Sequence, residues 1–241
     1  MVVQNKITFL TILLLSGSLL TLVSCGKSDK NSSRAAVPVV SVSPHVEEEQ
    51  QDDQGIYKAI LRPINSEISG ETSGTIEFRI EGDDVVVESS IRGAPAGVKH
   101  LQNIFVSSRC PEIKADTNKD NVIDLMEAMT QTGLILIPLD SDLSEQLDGI
   151  EYGPIANTAG SYIYRRSSTL SRILADLRSP DPDLHDSIVK LPEGKDLMLG
   201  GRVVMIHGVK SNSNIPDSVK SISYLTKEQS LPIACGVLIR Q

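Results

Sequence analysis

Oxygen-bearing side chains recur at a fixed spacing in one short stretch of this chain, Asp116–Glu127. They occupy positions 1, 3, 5, 9 and 12 of the stretch and belong to Asp116, Asn118, Asp120, Asp124 and Glu127. Four of the five are carboxylates, which repel one another when a single short loop brings them together. Such a stretch either spreads its charges into solvent or gathers them around a cation. A hard cation that takes about 6–8 oxygen ligands suits the second arrangement.

The spacing is that of an EF-hand-type calcium loop. In such a loop the seventh residue, here Val122, binds through its backbone carbonyl, and the twelfth, Glu127, closes the shell with both carboxylate oxygens. Asn121 stands at position 6, where positive φ is needed and asparagine is well tolerated. Ile123 at position 8 is an apolar residue suited to tether the loop to a core. We therefore predict a calcium site formed by Asp116, Asn118, Asp120, Val122, Asp124 and Glu127, the alternative being an acidic turn in solvent.

The calcium loop has no partner of its own kind in the sequence. Pro111 and the absence of helical periodicity before Asp116 predict no helix leading into it. A helix is expected only at its exit. A structural role for calcium is therefore favoured over a sensor role.

The first 24 residues have the pattern of an export signal. Lys6 is their only charge, and the apolar run Ile7–Val23 ends in Leu22-Val23-Ser24-Cys25. This ending resembles the bacterial lipobox, which implies that Cys25 is lipidated and becomes the mature N-terminus. Gly26 after the cysteine resembles lipoproteins that are sent to an outer membrane. We expect an exported lipoprotein anchored in the membrane at the bacterial cell envelope, the alternative being an uncleaved anchor helix.

Composition divides the rest of the chain into a tether and one domain. Residues 25–54 are polar and acidic without periodicity, as in a flexible spacer, and residues 55–241 are enough for a domain with a core. The net charge of −8 argues against nucleic acid and anionic lipid headgroups as partners. Aromatic residues are 3% of the chain and tryptophan is absent, so stacking platforms for bases or sugars are not expected.

Short apolar or alternating runs between turn-forming residues predict a mainly β domain. The runs are Ile56–Leu61, Gly74–Ile80, Val85–Ile91, His100–Val106, Leu134–Ile137, Ser161–Tyr164, Arg202–Ile206 and Cys235–Ile239. The second and third form a hairpin. Helical spacing predicts a helix at Ser167–Leu177, and the exit of the calcium loop is expected to form a shorter one at Asp124–Thr130. The expected fold is a Greek-key β-sandwich or barrel with an inserted calcium loop and one or two short helices.

Two cysteines remain once Cys25 is assigned to lipidation. Cys110 and Cys235 are then an even pair in an exported protein, where a disulfide is the default. Two buried free thiols are the alternative.

The C-terminal segments resemble copper/zinc superoxide dismutases. The resemblance lies in Gly201–Gly208, which contains His207, and in Ile233–Leu238, which contains Ala-Cys-Gly-Val. The opening segments Ala59–Phe78 and Gly93–Gly97 resemble the related chordin-type (CHRD) modules of bacterial exported proteins. The resemblance covers residues 55–241 and implies a dismutase-like fold in which Cys110 and Cys235 are bridged.

The departures from the dismutase pattern concern the copper ligands. The resemblance makes His207 a copper-ligand position and His100 a structural histidine, but Asn103 and Phe105 stand where two further ligands belong. The stretch that replaces the zinc loop, residues 134–166, contains no histidine. Redox copper chemistry needs several imidazoles. We therefore predict a degenerate copper site at Asn103, Phe105 and His207 and no catalytic residue.

These observations favour an envelope-anchored, calcium-stabilised, non-catalytic dismutase-like lipoprotein. One alternative is a metalloenzyme with a rebuilt copper site that uses His100 and His207. Another is a partner-binding module whose long loops, Leu134–Arg166 and Ser179–Leu197, face a protein that the sequence does not identify.

Overall fold

Nine antiparallel strands form one curled sheet in the part of the chain that the structure describes. The structure is a computed structural model that describes residues 53–144, 153–179, 189–222 and 224–241, all within the compact unit Glu49–Gln241. The strands are β1 Gly55–Pro63, β2 Ser73–Glu81, β3 Asp84–Arg92, β4 Gln102–Phe105, β5 Ile135–Pro138, β6 Tyr162–Thr169, β7 Val203–His207, β8 Pro232–Val237 and β9 Ile239–Arg240. The α-helices are α1 Ser66–Ser69, α2 Leu125–Thr132, α3 Leu170–Arg178 and α4 Lys227–Ser230, with a 3₁₀ turn at Ile113–Ala115.

The strand order is β5-β4-β7-β8-β1-β2-β3-β6, and β9 pairs with the first half of β1. Strands β1, β2 and β3 are successive neighbours, whereas β8 returns from far along the chain to lie beside β1. This is a Greek-key connection. The predicted mainly β, sandwich- or barrel-like fold is confirmed.

The predicted hairpin is β2–β3, and its side chains alternate between core and solvent. Strand β2 buries Ile76, Phe78 and Ile80, and β3 buries Val85 and Val87, all at most 2% exposed. The two-residue turn between them begins with Gly82, whose φ of +62° suits glycine. Period-2 alternation thus sets which face of this half of the sheet meets the core.

The two outer strands of the order, β5 and β6, lie close to each other through side-chain contacts. The Tyr164 hydroxyl on β6 donates to the carbonyl of Asp140, two residues after β5, at 2.8 Å. The ring of Tyr162 on β6 stacks on the ring of His100, with 5.5 Å between centroids. The sheet therefore curls until its ends meet around the main core, which also contains Ile104, Leu136, Val204 and Ile206.

The half of the sheet made by β4, β5, β7 and β8 is buried on both faces. Its inner face joins the main core, and its outer face carries Phe105, Ile135, Val203, Met205 and Cys235 into a second cluster. The residues that cover this outer face are Ala115, Ile123, Leu125, Ala128 and Ile222. Three of them belong to α2 and the loop before it. The Asp116–Glu127 loop is thus part of the core structure rather than a surface appendage.

The longer of the two predicted helices begins later in the structure than the sequence suggests. We predict Ser167–Leu177, but strand β6 continues to Thr169, which pairs with Asp84 of β3, and α3 begins at Leu170. The Thr169 hydroxyl then accepts from the backbone N–H of Arg172 as an N-cap. Pairing with β3 outweighs local helix propensity for these three residues.

The last residues of the predicted tether are bound to the domain. Asp53 is 3% exposed, and its carboxylate accepts from the backbone N–H groups of Leu197 at 2.6 Å and Met198 at 2.7 Å. Burial raises the pKa of this carboxyl. Gln54 exchanges two hydrogen bonds with Gly82.

Within the described ranges, no helix is long and apolar enough to cross a membrane.

Cys110 and Cys235 are joined by a disulfide, as the sequence predicts. The bond links the segment after β4 to strand β8 across 125 residues of sequence, and Cys235 lies in the second cluster.

We expect a Cys110→Ser, Cys235→Ser double variant to lose about 2–5 kcal/mol of unfolding free energy, because the bond closes a long loop in the unfolded chain. Urea unfolding of the exported protein measures the loss. Reductant should destabilise the wild type and leave the double variant unchanged. Two reactive thiols in the folded, exported wild type would contradict the bond.

Candidate functional site

Asp116 organises the first half of the predicted calcium loop through backbone amides. Its Oδ1 accepts from the N–H groups of Lys119 at 2.6 Å and Asp120 at 3.2 Å, and its Oδ2 accepts from Asn121 at 2.9 Å. Asn121 has a φ of 66°, the left-handed conformation that the sequence predicts at position 6. The five residues after Asp116 are therefore wrapped around its carboxylate.

Two further side chains repeat this local bonding. Asn118 Oδ1 accepts from the N–H of Asp120 at 2.9 Å, and Asp120 Oδ1 accepts from the N–H of Val122 at 2.8 Å. These are Asx turns, in which a side-chain oxygen stands in for a backbone acceptor. Asn118 and Asp120 thus each fix a local turn of the loop through the backbone N–H two residues further on.

Glu127 closes the loop from its far end. Its Oε1 accepts from the backbone N–H and the hydroxyl of Thr117, both at 2.9 Å, and from the N–H of Asn118 at 3.2 Å. Its Oε2 accepts from the N–H of Asp124 at 3.2 Å. The side chain is buried, so positions 2, 3, 9 and 12 are drawn together around one carboxylate.

Asp124 is the N-cap of α2. Its Oδ1 accepts from the N–H of Glu127 at 2.8 Å, which completes a capping box with the bond from Asp124 to Glu127. Its Oδ2 accepts from the N–H of Lys220 at 2.8 Å. Burial raises the pKa of the Asp124 carboxyl. Both oxygens are engaged by protein, which suits the ninth loop position, where calcium is often bound through a water molecule.

Asn65 fixes the loop to the sheet, and the sequence pattern does not reveal it. Its amide donates to the carbonyls of Ile123 and Pro232, both at 2.9 Å, and its Oδ1 accepts from the N–H of Ile123 at 2.9 Å. Asn65 itself has a φ of 53°. It lies 58 residues from Ile123 and 167 from Pro232. An isolated Asn-Ser after a strand is the only local signal, and it predicts a turn rather than a clamp.

The acidic side chains of the loop bond to its amides and do not converge on one point. In the part of the chain that the structure describes, no group of three or more His, Cys, Asp or Glu side chains is arranged to hold a metal ion. The donor set is nevertheless made of oxygen, as a hard cation prefers. Among the described contacts, Asp116 Oδ2 and Glu127 Oε2 each accept one hydrogen bond, from Asn121 and Asp124, so each retains a second lone pair for an ion.

The predicted copper-ligand positions lie together at β4 and β7. Asn103 and Phe105 are on β4 and His207 ends β7, all three buried. The ring of Phe105 packs against the imidazole of His207 with 6.1 Å between centroids. Burial lowers the pKa of His207 to about 4, so its imidazole is neutral.

His100 links the end of β7 to the loop after β3. Its Nδ1 lies 3.0 Å from the carbonyl of His207 and its Nε2 lies 3.2 Å from the carbonyl of Pro95. Burial lowers the pKa of His100 as well. The structure thus places His100 where it supports the backbone. The predicted lipidation residue Cys25 lies outside the described residues.

In the comparisons with known proteins, no family model and no curated protein matches this chain.

We expect Asn65→Ala to destabilise the protein by about 2–4 kcal/mol, because it leaves three backbone groups without their partner and forces alanine into positive φ. Asn65→Gly loses the same hydrogen bonds but tolerates the conformation, so it should cost about 1 kcal/mol less. Urea unfolding measures both. A loss below about 0.5 kcal/mol for the alanine variant, typical of an unconstrained surface site, would contradict the clamp.

Proposed function

We propose that this chain is an envelope-anchored lipoprotein whose dismutase-like β domain is stabilised by calcium and has no catalytic role. The observation that carries the proposal is the position of the Asp116–Glu127 loop. An oxygen-rich loop with calcium-ligand spacing holds the helix that covers the outer face of the sheet.

Calcium would act on the repulsion between the loop's carboxylates. Asp116, Asp120, Asp124 and Glu127 lie within twelve residues of sequence, and Asp124 and Glu127 are at most 7% exposed. Backbone N–H groups offset part of their charge, but each carries only a partial positive charge. A divalent cation bound by Asp116, Asn118, Asp120, the Val122 carbonyl and Glu127, and by Asp124 through a water molecule, would offset the remainder.

The structural context favours stabilisation over signalling. Ile123 and Leu125, at 6% and 2% exposed, are packed into the second cluster, and Asn65 and the Lys220 N–H hold the loop in place. A loop fastened in this way has little freedom to swing, as a sensor must. Calcium that binds only the folded loop would contribute roughly 2.7 kcal/mol at 100 times its dissociation constant.

The absence of a catalytic role is supported by Phe105. Phenylalanine has no atom that can coordinate copper, and its ring occupies space beside His207. Of the family's ligand positions on β4 and β7, only His207 retains an imidazole. One imidazole does not hold a redox copper ion in the way that a cluster of them does.

The membrane anchor is supported by the Leu22-Val23-Ser24-Cys25 ending and the position of Asp53. Asp53 is the first described residue and is fixed to the domain, so the 27 residues from Gly26 to Asp52 connect it to Cys25. A chain of that length reaches at most about 90–100 Å. This is enough to place the domain clear of a membrane surface.

Asp120→Asn tests the calcium site with little damage to the loop's own hydrogen bonds. Asparagine keeps the oxygen that accepts from Val122 and can still bond to the Ser218 hydroxyl. We expect stability in chelator to change by less than about 0.5 kcal/mol. The calcium dissociation constant should rise roughly tenfold, because one charged ligand is lost. Calorimetric titration and thermal melts with chelator or calcium measure these effects.

Asp217→Asn is the matched control for charge. Asp217 is fully exposed and, among the described residues, pairs with Lys227 at 3.3 Å, outside the loop, so its neutralisation should leave calcium affinity unchanged. Wild type that shows neither heat of binding nor a rise in melting temperature with calcium up to about 10 mM, above the weakest extracellular sites, would refute the proposal.

We expect Cys25→Ser to remove lipid labelling and to release the protein from the membrane fraction, because serine offers no thiol for acylation. Metabolic labelling with a fatty-acid analogue and fractionation measure this. Cys110→Ser is the control, since the same change at a disulfide cysteine leaves the lipobox intact. A wild type that is unlabelled and leaves the membrane fraction would show that the anchor is wrong.

A further inference from the structure

The outer face of the sheet is covered over β4, β5, β7 and β8 but exposed over β1, β2, β3 and β6. On this exposed face Ile60 pairs with Thr75, and Thr75 pairs with Ser90. Two residues further along the strands, Ser73 pairs with Arg92. Side chains two residues apart on a strand point to the same face, so all five share it. They line a groove of about 300 Å³ together with Leu61 and Gly74.

Arg92 is oriented at this groove and has no acidic partner. Its Nε–H donates to the Ser73 hydroxyl at 3.2 Å, which leaves its two Nη groups as charged donors. In the part of the chain that the structure describes, Arg92 forms no ion pair. Arg79 and Arg165, on the same exposed face, are instead each paired with a glutamate, at 3.0 Å and 3.8 Å. Arg92 thus differs from its neighbours in lacking a counter-charge.

The lining of the groove supplies further hydrogen-bond donors and no carboxylate. Among the described contacts, the hydroxyls of Thr75 and Ser90 have no protein partner. The Ser73 hydroxyl accepts from Arg92 and still has its own proton to donate. The chain as a whole has a net charge of −8, so a cationic groove without an acid is not a general property of its surface.

A second unpaired arginine lies on the neighbouring strand. Arg62 follows Leu61, which pairs with Gly74, so Arg62 is level with Ser73 on β1. Two strand spacings, about 10 Å, separate its backbone from that of Arg92. Arg62 lines the adjoining groove rather than this one and forms no ion pair with a described residue. It adds positive potential at the site without reaching the same ligand atom.

We propose that this groove binds a small acidic ligand whose oxyanion, a sulfate, phosphate or carboxylate group, is carried on an aliphatic carbon skeleton. An oxyanion has several acceptor oxygens and a negative charge, which match the Nη donors of Arg92 and the neighbouring hydroxyls. Ile60 lines the same groove and is 69% exposed. It would be removed from water by the carbon skeleton of the ligand.

Nitrogen-15 NMR of the labelled full-length chain, titrated with methyl sulfate and hexyl sulfate, tests the proposal. The two probes carry the same charged group and differ in the length of their carbon chain. Both should shift the Arg92 Nε–H resonance and the backbone amides of Ser73 and Ser90 in a saturable manner. Hexyl sulfate should bind about tenfold tighter than methyl sulfate, roughly the value of two buried CH₂ groups.

Three variants separate the contributions. Arg92→Gln should weaken binding of both probes at least about tenfold, because charge-assisted hydrogen bonds are lost. Arg165→Gln is the matched control: it removes a cation from the same face but outside the groove, so both affinities should stay unchanged. Ile60→Ser should reduce the advantage of hexyl sulfate and leave the affinity for methyl sulfate as it is.

Two results would overturn the proposal. The absence of saturable shifts at the groove with either probe would mean that it binds no oxyanion. Equal weakening by Arg92→Gln and Arg165→Gln would mean a general attraction of anions to the sheet face and no defined site. Neither result bears on the calcium proposal, because no residue of the Asp116–Glu127 loop lines this groove.

Discussion

The outer face of strands β4, β5, β7 and β8 is apolar and has to be covered. Phe105, Val203, Met205 and Cys235 all point into the second cluster, and leaving them in water would cost about 1.5–3 kcal/mol for each large side chain. The cover is α2 and the loop before it, which have too little length to form a stable structure alone. The loop needs the sheet for its apolar residues, and the sheet needs the loop for its outer face.

Several different interactions hold this cover in place, and each acts at a different point. Asn65 bonds to Ile123 in the middle of the loop, Asp124 bonds to Lys220 at the start of α2, and the disulfide fixes Cys110 before the loop begins. Because these interactions all hold the same loop and helix, their contributions to the free energy of unfolding are coupled rather than additive. Calcium, if bound by the acidic positions, would strengthen the same element from within. A structural ion at this place would therefore affect the stability of half the sheet.

The sequence predicts best what depends on local pattern. The β2–β3 hairpin follows from period-2 alternation around Gly82-Asp83, and the helix expected at the exit of the calcium loop, Asp124–Thr130, is α2, Leu125–Thr132. The sequence does not predict features that depend on contacts between residues far apart in the chain. The roles of Asn65 and Asp53 depend on partners 58 and 144 residues away, which no local spacing records. The start of α3 is wrong for the same reason, since pairing of Thr169 with Asp84 extends β6.

The environment of His207 follows from the same packing. A histidine at the end of a buried strand, with Nδ1–H bonded to the Ser230 carbonyl, is oriented as a metal ligand is, with its Nε2 lone pair directed away from the backbone. What surrounds that lone pair decides its chemistry. Here Phe105 packs on one side, and α2, held by the acidic loop, supplies Leu125 to the lining of a cavity beside the ring. Covering the outer face of the sheet thus also buries this imidazole, which is 1% exposed.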